Sequence, residues 1–250
     1  MDIITARDLT VGYGQAEVLC HVAFTVPERR ITAVVGVSGS GKSTLLKTLA
    51  GLLPPLGGGF DFAGRPVDYR SEASLRHLYE KIGVLYQDGA LLNGLSLYEN
   101  VALPVRMHYP ELPEDVVRDM VHAGLAQVEM ADSAEKFPSE LSGGMRKRGA
   151  LARALVLDPE VVFCDEPSSG LDPITSQRLD DLLLRLKETF KMTLVVVTHE
   201  LRSIERVADR VLLLNDGGLR FAGDYADLAA SDDEFIRTFF LRKDHHHDDA

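Results

Sequence analysis

Between Gly36 and Ser43 the chain reads G-V-S-G-S-G-K-S. Residues of these types at this spacing can hold a chain of phosphates. Gly36, Gly39 and Gly41 carry no Cβ, so the backbone can bend tightly and bring its N–H groups against anionic oxygens. Val37, Ser38, Ser40 and Thr44 belong to the same cradle. Lys42 offers a point charge to the β- and γ-phosphates, and the Ser43 hydroxyl is placed to ligate magnesium. A plain Gly/Ser turn is the competing reading. It does not account for the Lys-Ser pair, nor for the strand before it and the helix after it.

Other residues could complete such chemistry. Val161 to Glu166 reads V-V-F-C-D-E, an apolar strand ending in adjacent carboxylates, Asp165 and Glu166. Two neighbouring carboxylates can divide labour, one held near a cation and one facing an attacking water. L141-S-G-G144 opens a helix with Ser142 as a natural N-cap. Gly143 and Gly144 leave its amides bare at the positive end, which makes a second anion site; an ordinary capped helix is the alternative. Tyr13 lies in a turn ahead of the glycine-rich loop. Its ring can stack on a purine base, or it can pack on its own sheet, and spacing alone does not choose. His199 ends a buried strand, where a lone histidine is more often structural.

These groups need elements to hold them. Ile31 to Val35 is a β-branched run that reads as a buried strand, and Leu45, Leu46, Leu49 and Leu52 recur at helical spacing behind the loop. Ahead of them, residues 3–11 and 18–26 read as strands about a turn at 12–14. Residues 60–64 and 67–69 read as short strands, 71–80 as a Ser-capped helix, and 82–86 as a buried strand ending at Gln87. Residues 88–138 change character. An apolar loop and helix (90–104) precede an amphipathic helix (113–128), and Pro104, Pro110, Pro113 and Pro138 are expected to break the stretch into short pieces. A helix then runs to Leu157, and a long one carries Leu179, Leu182, Leu183, Leu186 and Phe190 on one face. Strands at 193–198, 211–215 and 219–222 follow, with a helix at 200–208 between the first two and two short helices over 224–241. The tail is polar and holds three histidines, a weak metal site at most.

Composition limits the alternatives. With 250 residues, 45% hydrophobic and 26% charged, the chain has the make-up of a soluble globular protein of one or two domains. No apolar run approaches the ~18 residues of a membrane span, and the N-terminus lacks a secretory pattern. The net charge of −11 argues against nucleic acid as a partner. Cys20 and Cys164 lack metal-ligand spacing and suit buried thiols in a reducing compartment.

Taken together, the motifs resemble, over essentially the full length, the nucleotide-binding subunit of an ABC transporter. Tyr13 sits where the adenine-stacking aromatic does, Gly36 to Ser43 looks like the Walker A loop, and Gln87 ends its strand as the Q-loop glutamine does. Leu141 to Gly144 resembles the signature motif, Val161 to Glu166 Walker B, Ser169-Gly170-Leu171-Asp172 the D-loop and His199 the switch histidine. Met145, where most signatures have glutamine, followed by R146-K-R148, looks like the ATPases of Mla- and Mce-type lipid transporters. Residues 88–104 and 231–240 resemble theirs as well.

The resemblance implies an α/β fold: a P-loop NTPase core of parallel sheet and flanking helices, an N-terminal antiparallel β-subdomain and an inserted helical subdomain. In one ABC ATPase domain over 1–250, residues 1–86 with 160–223 would form the ATP-binding core, 88–158 the helical subdomain, and 224–250 terminal helices and tail. It implies ATP hydrolysis with Mg2+. Lys42 and the loop amides would hold phosphate. Ser43 and Gln87 would ligate the ion, with Asp165 acting on it through water. Glu166 would activate the attacking water, and His199 would reach the γ-phosphate. One copy of each motif implies a homodimer in which Ser142, Gly143 and Gly144 serve the other copy's ATP across an interface containing the D-loop. It further implies an integral-membrane permease docking near residues 87–107 and a periplasmic MCE-domain lipid-binding protein. Some such systems add a small STAS-type cytoplasmic regulator. The setting would be the cytoplasmic side of the inner membrane. The ATPase of another ABC transporter, such as an amino-acid importer, a soluble ABC ATPase, and a non-hydrolysing nucleotide-binding regulator are the competing readings. Met145 and the 88–104 segment weigh against the first. The single motif set and negative charge weigh against the ribosome-associated kind of the second, and intact Lys42, Ser43, Gln87, Glu166 and His199 against the third.

Overall fold

A computed structural model describes residues 1–241; the histidine-rich tail lies outside the described residues. The parallel strands come from continuous apolar runs, as sheets covered on both faces require. They are β3 (Ile31–Gly36), β6 (Ile82–Leu85), β7 (Val161–Asp165), β8 (Thr193–Val197) and β9 (Arg210–Asn215). With the antiparallel β10 (Gly218–Asp224) they form a six-stranded sheet ordered β10-β9-β3-β8-β7-β6. The long N-terminal hairpin, β1 (Asp2–Tyr13) and β2 (Ala16–Pro27), joins β4 (Gly57–Phe62) and β5 (Arg65–Pro66) in a separate antiparallel sheet.

Side chains alternate across the parallel sheet, and each face has its own core. Val161, Phe163, Val195 and Val197 pack with the antiparallel sheet and with Leu45, Leu46 and Leu49 of α1 (Lys42–Leu49). Val162, Cys164, Leu194 and Val196 face the opposite way. There they meet three helices inserted between β6 and β7, namely α3 (Leu97–His108), α4 (Glu114–Gln127) and α5 (Gly143–Leu155), and then α6 (Pro173–Phe190). A third cluster joins Ala33, Val35, Val211 and Leu213 to α7 (Leu201–Val207), α8 (Tyr225–Ala229) and α9 (Glu234–Leu241). The remaining helix, α2 (Glu72–Tyr79), is capped by Ser71, whose Oγ accepts from the Ser74 amide.

Several local expectations change. Pro104 does not end α3 but sits inside it. The helix is locked at its start by reciprocal bonds between Ser96 and Glu99 and buries Leu97, Val101 and Val105. That packing offsets the ~3 kcal/mol that an internal proline costs. Residues 67–69 are not a strand: β5 is only Arg65–Pro66, and the Tyr69 hydroxyl donates to the Thr48 carbonyl in the last turn of α1. The first turn falls after Tyr13 rather than around it. Cys164 is buried, with its thiol pushed up to about 12 by desolvation. Cys20 is only half-buried, and its Sγ donates to Glu17 at 3.3 Å.

Candidate nucleotide-binding site

The parallel register sets the site. Val34 pairs with Val197, and Asp165 pairs with Val197 on its other side, so β7 and β8 end level and β3 runs two residues further, to Gly36. The loops leaving those ends carry residues 36–41, Glu166 and His199. Ligands of open α/β sheets bind at such carboxyl ends.

The first of these loops is tightly built. Gly41 caps α1 at φ 94°, and a Cβ there would come within 2.8 Å of Val18 on β2. At Gly36 (φ 155°) a Cβ would meet the Leu214 carbonyl and Ser40 Oγ, each at 2.5 Å. Gly39 (φ 81°), in contrast, has no neighbour within 4 Å of such an atom, so open space lies over the loop where an anion would sit. Lys42 curls back, and its Nζ donates to the carbonyls of Gly36 at 3.1 Å and Val37 at 2.9 Å. Ser40 Oγ is buried with no hydrogen-bond partner.

Across the loop, Ser43 Oγ donates to Asp165 Oδ1 at 3.2 Å. Burial raises the Asp165 pKa, the Glu166 charge adds to that, and the Ser43 hydroxyl with Lys47 and Lys42 oppose it. Glu166 is not the last residue of the strand. It turns off β7 at φ 48°, a left-handed conformation that costs a non-glycine residue ~1 kcal/mol or more. Its amide donates to the Val197 carbonyl at 2.8 Å. Glu166 Oε1 lies 2.8 Å from His199 Nδ1, while Oε2 is buried with no partner. Lys42, Glu166 and His199 thus line one cleft with Gly36, Val37 and Ser38.

Other candidate residues stand apart from that cleft. Tyr13 is half exposed at the end of β1. Gln87 has an exposed side chain, and it is its backbone carbonyl that is held, by the Lys147 ammonium. Ser142 begins α5, its Oγ accepting from the Met145 amide at 3.3 Å. The Gly143 and Gly144 positions face Leu171 and Thr175, and this second cleft shares no lining residue with the first. Ser169 and Gly170 lie in the turn before α6, with the Ser169 amide donating to the Glu166 carbonyl at 3.2 Å and Gly170 at φ 76°. Asp172 caps α6, accepting from the amides of Ile174 and Thr175 and from the Thr175 hydroxyl.

Two features escaped the motif reading. Phe235, Thr238 and Phe239 of α9 form an outer wall of the first cleft. Their i, i+4 spacing marks a helix face but not what it covers. Lys147 is buried and donates to the carbonyls of both Gln87 and Glu166. Its helical phase, shared with Ala150, Leu151 and Ala154, is a signal that could have found it.

The family model described as ABC transporter matches residues 19–169. The chain belongs to the ABC transporter family. Its relatives extend the likeness beyond the motifs. The "Probable ribonucleotide transport ATP-binding protein mkl" of Mycobacterium tuberculosis is 39% identical over 239 residues, covering 94% of this chain and 66% of the relative's own length. The "Intermembrane phospholipid transport system ATP-binding protein MlaF" of Haemophilus influenzae is 37% identical over 238 residues, covering 95% of this chain and 90% of that protein. Among solved structures, the ATP-binding cassette MJ0796, a dimer in a post-hydrolysis state bound to ADP and Pi, superposes with a TM-score of 0.79 at 28% identity. That match covers 88% of this chain and 98% of the other. This ABC chain shares with that neighbour the fold of an ATP-binding cassette. No helix among its described residues is long and apolar enough to cross a membrane.

Proposed function

We propose that the chain is the ATP-hydrolysing subunit of a membrane transporter that moves lipid through the cell envelope, and that it works as a pair of copies. The observation that carries this reading is the single cleft where Lys42, Glu166 and His199 meet at the ends of aligned strands. Phosphoryl transfer to water asks a protein mainly for positioning and charge stabilisation. Lys42 and the amides of residues 36–44 hold the phosphates. Glu166, with one oxygen on His199 and the other unpartnered, is placed to accept a hydrogen bond from the attacking water. His199 steadies that carboxylate and faces the γ-phosphate. Tyr13 stacks on the base.

The residues present fit magnesium. Ser43 Oγ and Asp165 Oδ1 are hard oxygens 3.2 Å apart, and Asp165 is a partly desolvated carboxylate that a cation would relieve. So few protein ligands suit an ion that keeps waters and takes the rest of its shell from substrate phosphates. Ser43, Asp165 and Gln87 would hold it, and it would supply charge neutralisation at the phosphate oxygens. Ser142, Gly143 and Gly144 serve the partner copy's ATP, across an interface that includes Ser169 to Asp172.

Residues 1–86 with 160–223 act as the nucleotide-holding core, 88–158 as the helical arm, and 224–250 as the terminal segment. The permease docks near residues 87–107, where Leu92 and Met107 are exposed. This puts the chain on the cytoplasmic side of the inner membrane, with an MCE-domain protein and a STAS-type regulator as further members of the assembly. The name of MlaF supports a lipid cargo; that of mkl favours ribonucleotides instead. Lipid and nucleotide analysis of the detergent-solubilised complex decides between them. For hydrolysis itself, phosphate release by the purified chain is the test. Lys42→Ala is expected to lower it by about 10²–10³-fold, the cost of losing a fixed charge at the transition state; a near-normal rate in that variant would overturn the assignment.

A further inference from the structure

Lysines are rarely buried without a reason. Lys147 is 5% exposed, on the inward face of α5, and both partners of its ammonium are backbone carbonyls, those of Gln87 and Glu166. The two carbonyls lie just past the ends of neighbouring strands, since Leu85 of β6 pairs with Cys164 of β7. There the sheet ladder no longer supplies a donor; the Glu166 carbonyl has the Ser169 amide at 3.2 Å as well, so what the ammonium adds is a direct tie between the two loops. Neither partner belongs to the glycine-rich loop, whose Gly36 and Val37 carbonyls are taken by Lys42. A buried cation held between two carbonyls of different loops is holding something in place.

What it holds is the backbone on which the two proposed functional side chains stand. Glu166 sits in a left-handed conformation, with its amide fixed by Val197 and its carbonyl by Lys147 and the Ser169 amide. Gln87 begins a loop that also holds a left-handed non-glycine residue, Ala90 at φ 49°. Arg153, further along the same helix, donates to the Gly89 carbonyl at 2.8 Å and the Ala90 carbonyl at 2.7 Å. So α5 holds the whole loop from 87 to 90, and Lys147 alone of the two cations reaches on to Glu166. The helix that does this is the one Ser142 opens.

We infer that Lys147 is a positioning residue for ATP hydrolysis, fixing Gln87 and Glu166 relative to each other and to the helix that begins at Ser142. The inference rests on the hydrolytic reading of the cleft. Without the ammonium, the Glu166 carbonyl keeps its turn bond from the Ser169 amide but loses its tie to Gln87 and α5, and its carboxylate drifts from His199. A misplacement of about 1 Å can cost about 10²-fold in rate.

The test is steady-state phosphate release and nucleotide binding by the full-length chain carrying Lys147→Met, Lys147→Gln or Lys147→Arg. Lys147→Met keeps the bulk and loses the donors. It is expected to lower kcat by about 10–100-fold while the Kd for ATP stays within about twofold. Lys147→Arg should recover most of the rate and Lys147→Gln, with one amide donor group, part of it. The decisive measurement is Lys147→Met in a Glu166→Gln background. A residue that acts through Glu166 adds little to a loss already taken there, whereas an independent structural effect adds in full. Wild-type kcat in Lys147→Met, a parallel fall in kcat and ATP affinity, or full additivity would each overturn the inference. Should Lys147→Met fail to fold, Lys147→Gln decides in its place, and an unchanged kcat there overturns the inference equally. If the wild type does not hydrolyse ATP, or Glu166→Gln turns over normally, the hydrolytic reading itself has failed. A slow Glu166→Gln beside a fast Lys147→Met removes only the role of Lys147.

Discussion

The glycine-rich loop and the N-terminus of α5 are both anion sites in principle, yet they are built differently. Around the loop, polar groups are already directed at one another. Lys42 reaches carbonyls of its own loop, Ser43 meets Asp165, and Glu166 meets His199. Ser40 Oγ and Glu166 Oε2, one on each of two of these loops, are buried without a partner. At α5 the only bond Ser142 makes through its side chain among the described residues is the helix cap, and Ser142 is exposed beside two glycines. The first is a pocket pre-set by three strand ends. The second is a capped helix start beside Leu171 and Thr175, which on the proposed reading is a half-pocket for another copy's nucleotide. One chain carries one of each, so under that proposal two copies related by a two-fold axis would complete two sites.

The sharpest way to break this contrast is Glu166→Gln. The amide keeps the size and can still bond His199, but it no longer takes a proton. Turnover is expected to fall by about 10²–10⁴-fold, the range for loss of a general base. ATP binding should survive, and ATP should now drive stable pairing, seen as a mass shift by light scattering. A variant that hydrolyses at the normal rate removes the first pocket's claim to chemistry.

Next in size is a substitution that separates the two duties of Ser142. Aspartate is as good an N-cap as serine, so Ser142→Asp should leave α5 and the thermal midpoint unchanged. It also places a negative charge where the partner's phosphates would arrive. Activity is expected to fall by about 10²-fold, on the scale of losing one transition-state donor. ATP-driven pairing of Glu166→Gln chains should be lost while ATP binding to single chains remains. Mixing Ser142→Asp with Lys42→Ala chains then rebuilds one good site per pair and should restore part of the activity. Full activity in Ser142→Asp alone would mean that the helix start is only a cap.

The two halves also differ in how openly they were written in the sequence. Gly36 to Ser43 was legible because its conformation and its chemistry demand the same residues. The strand ends followed from β-branched runs such as Thr193 to Val197, all buried. Glu166 could be named, but not its departure from the strand, because a left-handed glutamate is imposed by Val197 and Lys147 from distant parts of the chain. Pro104 misled because proline speaks of local cost, while α3 is decided by what Leu97, Val101 and Val105 bury. Residues 67–69 misled because Tyr69 turns its ring to Phe60 and its hydroxyl to Thr48, contacts that a two-residue period does not encode. The aromatic face of α9 was visible as a pattern, yet its place over the first cleft depends on how the C-terminal helices return to the sheet.

The smallest expected effect concerns Tyr13, where the sequence left two readings open. At 50% exposed, the ring is not spent on its own sheet, which favours the base-stacking role. Aromatic stacking is worth about 0.5–1.5 kcal/mol beyond area burial, or about 2–12-fold in affinity. Tyr13→Ala should therefore raise KM for ATP by that factor and leave kcat within about twofold, since a base contact is made equally in the ground and transition states. Tyr13→Phe should behave as the wild type, because the ring and not the hydroxyl does the binding. GTP should suffer from Tyr13→Ala as much as ATP, since a π-face does not read the exocyclic groups of a purine. If instead the thermal midpoint falls and KM holds, Tyr13 serves the end of its hairpin, and the pre-set pocket grips its nucleotide through the phosphates alone.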